Sequence, residues 1–238
     1  MYQFHSRVRY SETGEQGYLT MTGIINYLQD CSTLQSEDIG LGLRFLKGRH
    51  RAWWLSSWQI IIDRYPVLGE EIVISTWPYA FKGIYGLRNF TIQDKQGNYL
   101  VRANSNWFYY DLEAGRPTKP QEDDISGYGQ LEEPLDMEYA PRKIVIPEEY
   151  EVGEPILVMK HHLDTNHHVN NAQYVEIARE LLPDNFQVGE LRVEYKKAAV
   201  MGDYMTPHIS QIPEGYVVNL CDEAGGSHAV IWLKERDR

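Results

Sequence analysis

The stretch Thr20-Met-Thr-Gly-Ile-Ile-Asn-Tyr-Leu-Gln-Asp-Cys-Ser-Thr-Leu34 decides the fold, because it reads as one long helix standing in front of a run of strands. Met21, Ile24, Ile25, Leu28, Cys31 and Leu34 recur at helical spacing, and Thr20 is placed to cap the N-terminus. Downstream the period changes to two. Trp54, Trp58, Ile60 and Ile62 share one parity, Ser57 and Gln59 the other, and Tyr65-Pro66 closes the run. Residues 71–77 make a further strand. Residues 88–93 and 99–110, joined through Asp94-Lys-Gln-Gly-Asn98, make a hairpin with a glycine in its turn.

The same order returns in the second half. A helix is expected over residues 168–182, stopped by Pro183. Leu191, Val193 and Tyr195 then alternate with Arg192, Glu194 and Lys196. A second hairpin joins residues 216–221 to 228–235 through Asp222-Glu-Ala-Gly-Gly226. Val67-Leu-Gly-Glu70 and Val200-Met-Gly-Asp203 follow equivalent strands, and each hairpin returns through a tryptophan, Trp107 or Trp232. One long helix followed by an antiparallel sheet, present twice, is an internal repeat. The expected division is an N-terminal domain over 1–125, a linker over 126–146 and a C-terminal domain over 147–238. The stretch 113–147 holds five prolines and reads as linker strapped to the surface.

Whole-chain properties narrow the function. The 238 residues suffice for one large domain or two small ones, and the 17 Tyr and 6 Trp suit strands and apolar pockets with polar rims. Residues 1–9 lack an apolar signal segment, apolar runs are far too short to span a membrane, and Cys31 and Cys221 read as reduced, buried thiols. The expectation is a cytoplasmic protein. Its net charge of −11 argues against binding nucleic acid through phosphates. Seven of the acids lie between Gln121 and Glu138 with no base among them, so basic residues elsewhere can still meet an acidic partner.

Polar chemistry concentrates in His161-His-Leu-Asp-Thr-Asn-His-His-Val-Asn-Asn171. On an extended approach to a helix, Asp164, Asn166 and His168 fall on one side, beside the N–H groups of the first turn. A carboxylate, an amide, an imidazole and fixed N–H donors are what ester or thioester hydrolysis needs, to activate water and to hold an oxyanion. The same residues also serve as caps and loop polar groups, and on spacing alone the two readings weigh about equally. No His-Glu-x-x-His and no phosphate-binding glycine loop occur, so no metal and no cofactor are expected.

Asp164-Thr-Asn-His-His-Val-Asn-Asn-Ala-Gln-Tyr174 resembles the Asp-x-Asn-x-His-Val-Asn-Asn-x-x-Tyr motif of acyl-acyl carrier protein thioesterases. Residues 58–66, 69–77, 102–107 and 193–195 look like further blocks of that family, in the same order. The resemblance implies an α+β tandem hotdog, each half an antiparallel sheet wrapped round a long helix. It implies hydrolysis of the fatty acyl thioester of acyl carrier protein, with Asp164, Asn166 and His168 catalytic and the acyl chain in the N-terminal half. Candidates for that pocket are Met21, Ile24, Ile25, Leu28, Trp54 and Trp58, each of which can equally be ordinary core. Lys196 and Lys197 are candidates for receiving phosphopantetheine or the acidic carrier.

Two features depart from the family. Where plant members follow Glu-Tyr and two basic residues with Glu-Cys, this chain has Glu194-Tyr195-Lys196-Lys197 and then Ala198-Ala199. A cysteine nucleophile is therefore excluded, and Glu194 lies about 13 Å too early along an extended strand to replace the missing carboxylate. Two other functions stay open: a 3-hydroxyacyl-carrier dehydratase-like hotdog enzyme and a non-catalytic acyl-binding module. Both monomer and homodimer suit such a fold.

Overall fold

Thr20 accepts the Gly23 N–H at 3.0 Å through its hydroxyl, and helix α1 (Met21–Asp38) starts there. The computed structural model describes residues 1–236 and divides into two compact units, residues 1–56 with 62–139 and residues 57–61 with 140–236.

In the first unit α1 follows strand β1 (Tyr2–Arg7) and precedes a short helix α2 (Leu43–Gly48). Strands β2 (Arg51–Ile62), β3 (Glu71–Lys82), β4 (Tyr85–Asp94) and β5 (Tyr99–Asp111) follow, then the two-residue β6 (Arg116–Pro117) and the one-turn helix α3 (Glu122–Ile125). Their order in the sheet is β1-β3-β4-β5, antiparallel throughout, with β6 on β5. Registry places Phe4, Ile74, Ile92 and Val101 in one cross-strand row, and all but Phe4 are fully buried. Helix α1 lies over β3, and Ile24, Ile25, Leu28 and Cys31 are removed from water completely. Leu34, expected on the same stripe, is 42% exposed because it faces an open cleft instead of the sheet. The β3 strand runs on past its expected end at Trp77, since a bulge between Pro78 and Ala80 accommodates a residue with no N–H.

The second unit adds β7 (Glu151–Val152), β8 (Ile156–Leu157), helix α4 (Asn171–Glu180) and strands β9 (Val188–Tyr195), β10 (Tyr204–Ile212), β11 (Gly215–Cys221) and β12 (Ser227–Glu235). The order β9-β12-β11-β10-β7 is again antiparallel, with residues 57–61 of β2 paired to β9. Both hairpin turns use one device. Asp94 Oδ1 accepts the N–H groups of Gln96 and Asn98, and Asp222 Oδ1 those of Ala224 and Gly226.

The stretch after β6 is strapped down by individual bonds. In the first unit Trp77 Nε1 donates to Glu133 O, and Asn89 Oδ1 accepts from both Leu135 N and Tyr139 Oη. In the second, Ala140 N donates to Gln59 Oε1 and Ile144 N to Glu194 Oε2, while Ile144 packs on Val217 and Val230. This cover accounts for the burial of Gln59, which lies on the polar parity of its strand and is 6% exposed.

Arg64 holds the Glu70 carboxyl below its ordinary value of 4.5, and Lys197 with the Gly226 N–H does the same for Asp222 below 3.8. A depressed folded value means the stabilisation is present above the ordinary value and is lost as pH falls through the folded one. The melting temperature is therefore expected to hold above about pH 5 and to decline below about pH 4. Glu70→Gln should show a shallower acid decline in a thermal melt series, and an unchanged slope would remove this pair from the account.

Candidate functional site

The polar segment does not approach α4 as a strand. Lys160–His162 form a short 3-10 turn in which His162 Nδ1 accepts the Met159 N–H at 3.0 Å, so His162 is held as a cap. Burial, then the neighbouring His161, holds its imidazole below the usual value. Leu163 and Val169 next pair as a one-residue antiparallel bridge, and residues 164–168 make the turn between them. Asp164 closes this turn. Its N–H donates to His168 O at 2.8 Å, and its Oδ1 accepts the N–H groups of Asn166 (2.8 Å) and His168 (3.2 Å). Asn166 Nδ2 lies 3.4 Å from Asp164 Oδ2. His167 sits at φ 61°, a left-handed conformation costing a non-glycine residue about 1 kcal/mol or more.

The helix expected from His168 begins at Asn171 instead. Asn170 caps it, accepting the Ala172 N–H at 2.9 Å. Gln173 N donates to Asn170 O, so two first-turn donors expected to face the site are already satisfied. The turn thus gathers Asp164, Asn166 and His168 by winding round them, with Asp164 and His168 half-buried and Asn166 exposed.

A second segment lies against this turn. His168 pairs with Val200, and Val169 N donates to Ala199 O at 2.9 Å. Ala198, where the resemblance puts a carboxylate, is exposed one residue from that bond. Ala199 N in turn donates to the hydroxyl of buried Tyr174 on α4, at 2.9 Å. Lys197 is engaged by Asp222, Nζ to Oδ2 at 2.7 Å, and Lys196 Nζ stands 3.6 Å from Glu194 Oε2.

The first unit repeats this framework with other side chains. Tyr10–Glu12 form the 3-10 turn, Thr13 pairs with Leu19, and Gly14 N donates to Tyr18 O at 3.0 Å. Tyr18 pairs with Val67 and Leu19 N donates to Pro66 O, as His168 and Val169 do with Val200 and Ala199. Gly14, Gln16, Gly17 and Tyr18 thus stand where the second unit has Asp164, Asn166, His167 and His168. Gly17 has φ 75°, so the left-handed position carries glycine in one copy and histidine in the other.

Of the acyl-pocket candidates, Met21, Ile24, Ile25, Leu28 and Trp58 are buried. Trp54 is half-buried and stacks on Tyr110 at 3.9 Å between centroids. None of them lines the open cleft of about 510 Å³ in the first unit, which runs along Phe4, Ser6, Tyr27, Asp30, Thr33 and Leu34. Among the described residues, no three His, Cys, Asp or Glu side chains converge as a metal site requires, and no helix is long and apolar enough to cross a membrane.

Comparison with known proteins agrees with this two-part layout. The profile of the acyl-ACP thioesterase N-terminal domain matches residues 1–128, and that of the C-terminal domain residues 148–230. A palmitoyl-acyl carrier protein thioesterase of Gossypium hirsutum is 24% identical over 207 residues, which cover 80% of this chain and 50% of that protein. A dodecanoyl-[acyl-carrier-protein] hydrolase of Cinnamomum camphora is 23% identical over 214 residues, covering 82% and 55%. The chain spans about half the length of these curated relatives. An acyl-ACP thioesterase structure from Bacteroides thetaiotaomicron superposes with a TM-score of 0.87 at 21% identity, over 98% of this chain and 97% of that one. The 12:0-ACP thioesterase from Umbellularia californica gives 0.88 at 18% identity, over 100% and 97%. With both profiles matched in order and this fold shared end to end, the chain belongs to the acyl-ACP thioesterase family and has its tandem hotdog architecture.

Proposed function

We propose that this protein is a cytoplasmic hydrolase of the fatty acyl thioester on acyl carrier protein, acting in fatty acid biosynthesis through Asp164, Asn166 and His168. One observation carries the assignment of residues. The same backbone turn forms in the first unit with Gly14 where Asp164 stands and Tyr18 where His168 stands, so neither position there carries a carboxylate or an imidazole. Asp164 stabilises its turn as a cap, but the fold makes that turn without it. The side chains that distinguish the two copies are therefore the ones available for chemistry.

In this reading Asp164 and His168 take the proton from a water, whose oxygen attacks the thioester carbonyl carbon. The carbonyl oxygen becomes an oxyanion, for which Asn166 Nδ2 is a donor. Collapse breaks the C–S bond, and the proton returns to the carrier thiolate, giving free fatty acid and holo-carrier. Lys196 is the proposed positive contact for an acidic carrier. The first unit is the proposed seat of the acyl chain.

Purified protein incubated with acyl-carrier substrates, without added metal or nucleotide, should release free thiol, and a chelator should not change the rate. An enoyl product would instead reveal a dehydratase. Retention of the acyl carrier without turnover would reveal a binding module, the reading to which the alanine at position 198 lends weight.

A further inference from the structure

Beside the turn, the second unit holds a hydrogen bond that the first unit's copy of the same substructure lacks. The matched bridges and bonds align Pro66 with Ala199, and the two helix caps, Thr20 and Asn170, align Ile24 with Tyr174. Pro66 has no N–H and Ile24 has no hydroxyl. At the same place in the second unit, Ala199 N donates to Tyr174 Oη at 2.9 Å. Both helix residues are buried, Ile24 completely and Tyr174 to 3% exposure, so the contrast is one of chemistry at a shared core position.

A buried N–H needs a partner, and satisfying Ala199 would be reason enough for a tyrosine. The first unit shows, however, that this fold closes the same junction with two apolar groups and the strand-to-strand bond from Leu19 N to Pro66 O. What the bond adds is a grip. The Ala199 peptide is held at both ends, its N–H by Tyr174 and its carbonyl by the Val169 N–H at 2.9 Å. Val169 follows His168 directly, and Ala198 is the exposed neighbour on the other strand. Tyr174 is itself fixed, since its ring meets Tyr195 edge-on at 5.7 Å and Tyr195 Oη donates to Asn171 O at 2.9 Å. Burial raises the Tyr174 hydroxyl to about 12, so it stays protonated and neutral at working pH.

We propose that Tyr174 is a positioning residue of the thioesterase site, holding residues 198–200 against the turn that carries Asp164 and His168. The proposal rests on the hydrolase reading for its effect on rate, and on the bond pattern alone for its effect on structure.

Tyr174→Phe removes only the hydroxyl. It should lower kcat on acyl-carrier substrate about tenfold or more while KM stays within about twofold, since small misplacements of reacting groups cost rate before affinity. Amide exchange at Val169 should quicken about tenfold, with no change at Leu19, its counterpart in the first unit. The double variant Tyr174→Phe, Ala199→Pro copies the Ile24 and Pro66 pair and removes the orphaned N–H. Its melting temperature should recover towards wild type while kcat stays low. Recovery of both would show the bond to be structural only and overturn the proposal, as would wild-type kcat in Tyr174→Phe. Unchanged Val169 exchange in Tyr174→Phe overturns it whatever the turnover. If the wild type itself releases no thiol yet Val169 exchange still quickens, the hydrolase reading falls and the grip on the turn stands.

Discussion

Asp164→Asn and His168→Ala are each expected to lower kcat on acyl-carrier substrate by about 10²-fold or more, the range for positioned acid and base groups. The asparagine substitution separates charge from shape. Its Oδ1 can still accept the N–H groups that Asp164 holds at 2.8 and 3.2 Å, so the turn and its cap survive while the negative charge is gone. A stability change near zero with a large fall in kcat would assign the carboxylate to chemistry. Hydrolysis at the wild-type rate by Asp164→Asn would reduce Asp164 to a turn cap. His162→Ala is the control within the same segment. It loses a cap to Met159 N, worth about 1 kcal/mol, and should keep kcat within about twofold. Ala198→Glu should matter less than Asp164→Asn. A large gain from it would mark the natural protein as a weakened hydrolase closer to an acyl binder.

Leu28→Ala is expected to cost about 2–5 kcal/mol of stability, through lost burial and the cavity left behind. Leu28 is fully removed from water in the middle of α1, over the sheet of the first unit. Urea unfolding should show the midpoint falling with the slope unchanged. A wall of an acyl pocket would behave otherwise. Truncation there would change stability by about 1 kcal/mol or less and shift the preferred chain length, so the two measurements together decide what Leu28 does.

The sequence announces its repeat through features that are local. The stripe from Met21 to Cys31, the cap at Thr20 and the Asp-initiated turns at 94 and 222 depend on nearest neighbours alone, and each is found where its pattern puts it. The turn at 164–168 is less legible because distant segments shape it. The pairing of Leu163 with Val169 and of His168 with Val200 winds up a stretch that, read alone, passes for an extended approach to a helix. Asn166, Asn170 and Asn171 are all credible caps by type, and only the folded chain selects Asn170. The matching turn at 14–18 escapes notice for a related reason. Its backbone bonds repeat those of the second unit, but Gly14, Gln16 and Tyr18 share no residue type with Asp164, Asn166 and His168. The match of Val67-Leu-Gly-Glu70 with Val200-Met-Gly-Asp203, legible in the sequence, sets Pro66 against Ala199 but leaves the two turns themselves unmatched.

Strand β2 has a consequence for anyone who would cut this gene in two. Residues 57–61 are counted with the second unit, where Ser57, Trp58, Gln59, Ile60 and Ile61 run along β9 opposite Glu194, Val193, Arg192, Leu191 and Glu190. A fragment started in the proline-bearing stretch before β7 would be made without them. Its β9 would become a bare edge, with Leu191 and Val193 on one side and a row of unanswered N–H and C=O groups ready to recruit another chain. Such a fragment should collect in inclusion bodies. A synthetic peptide spanning residues 51–62, added during refolding, is the reagent that should keep it in solution.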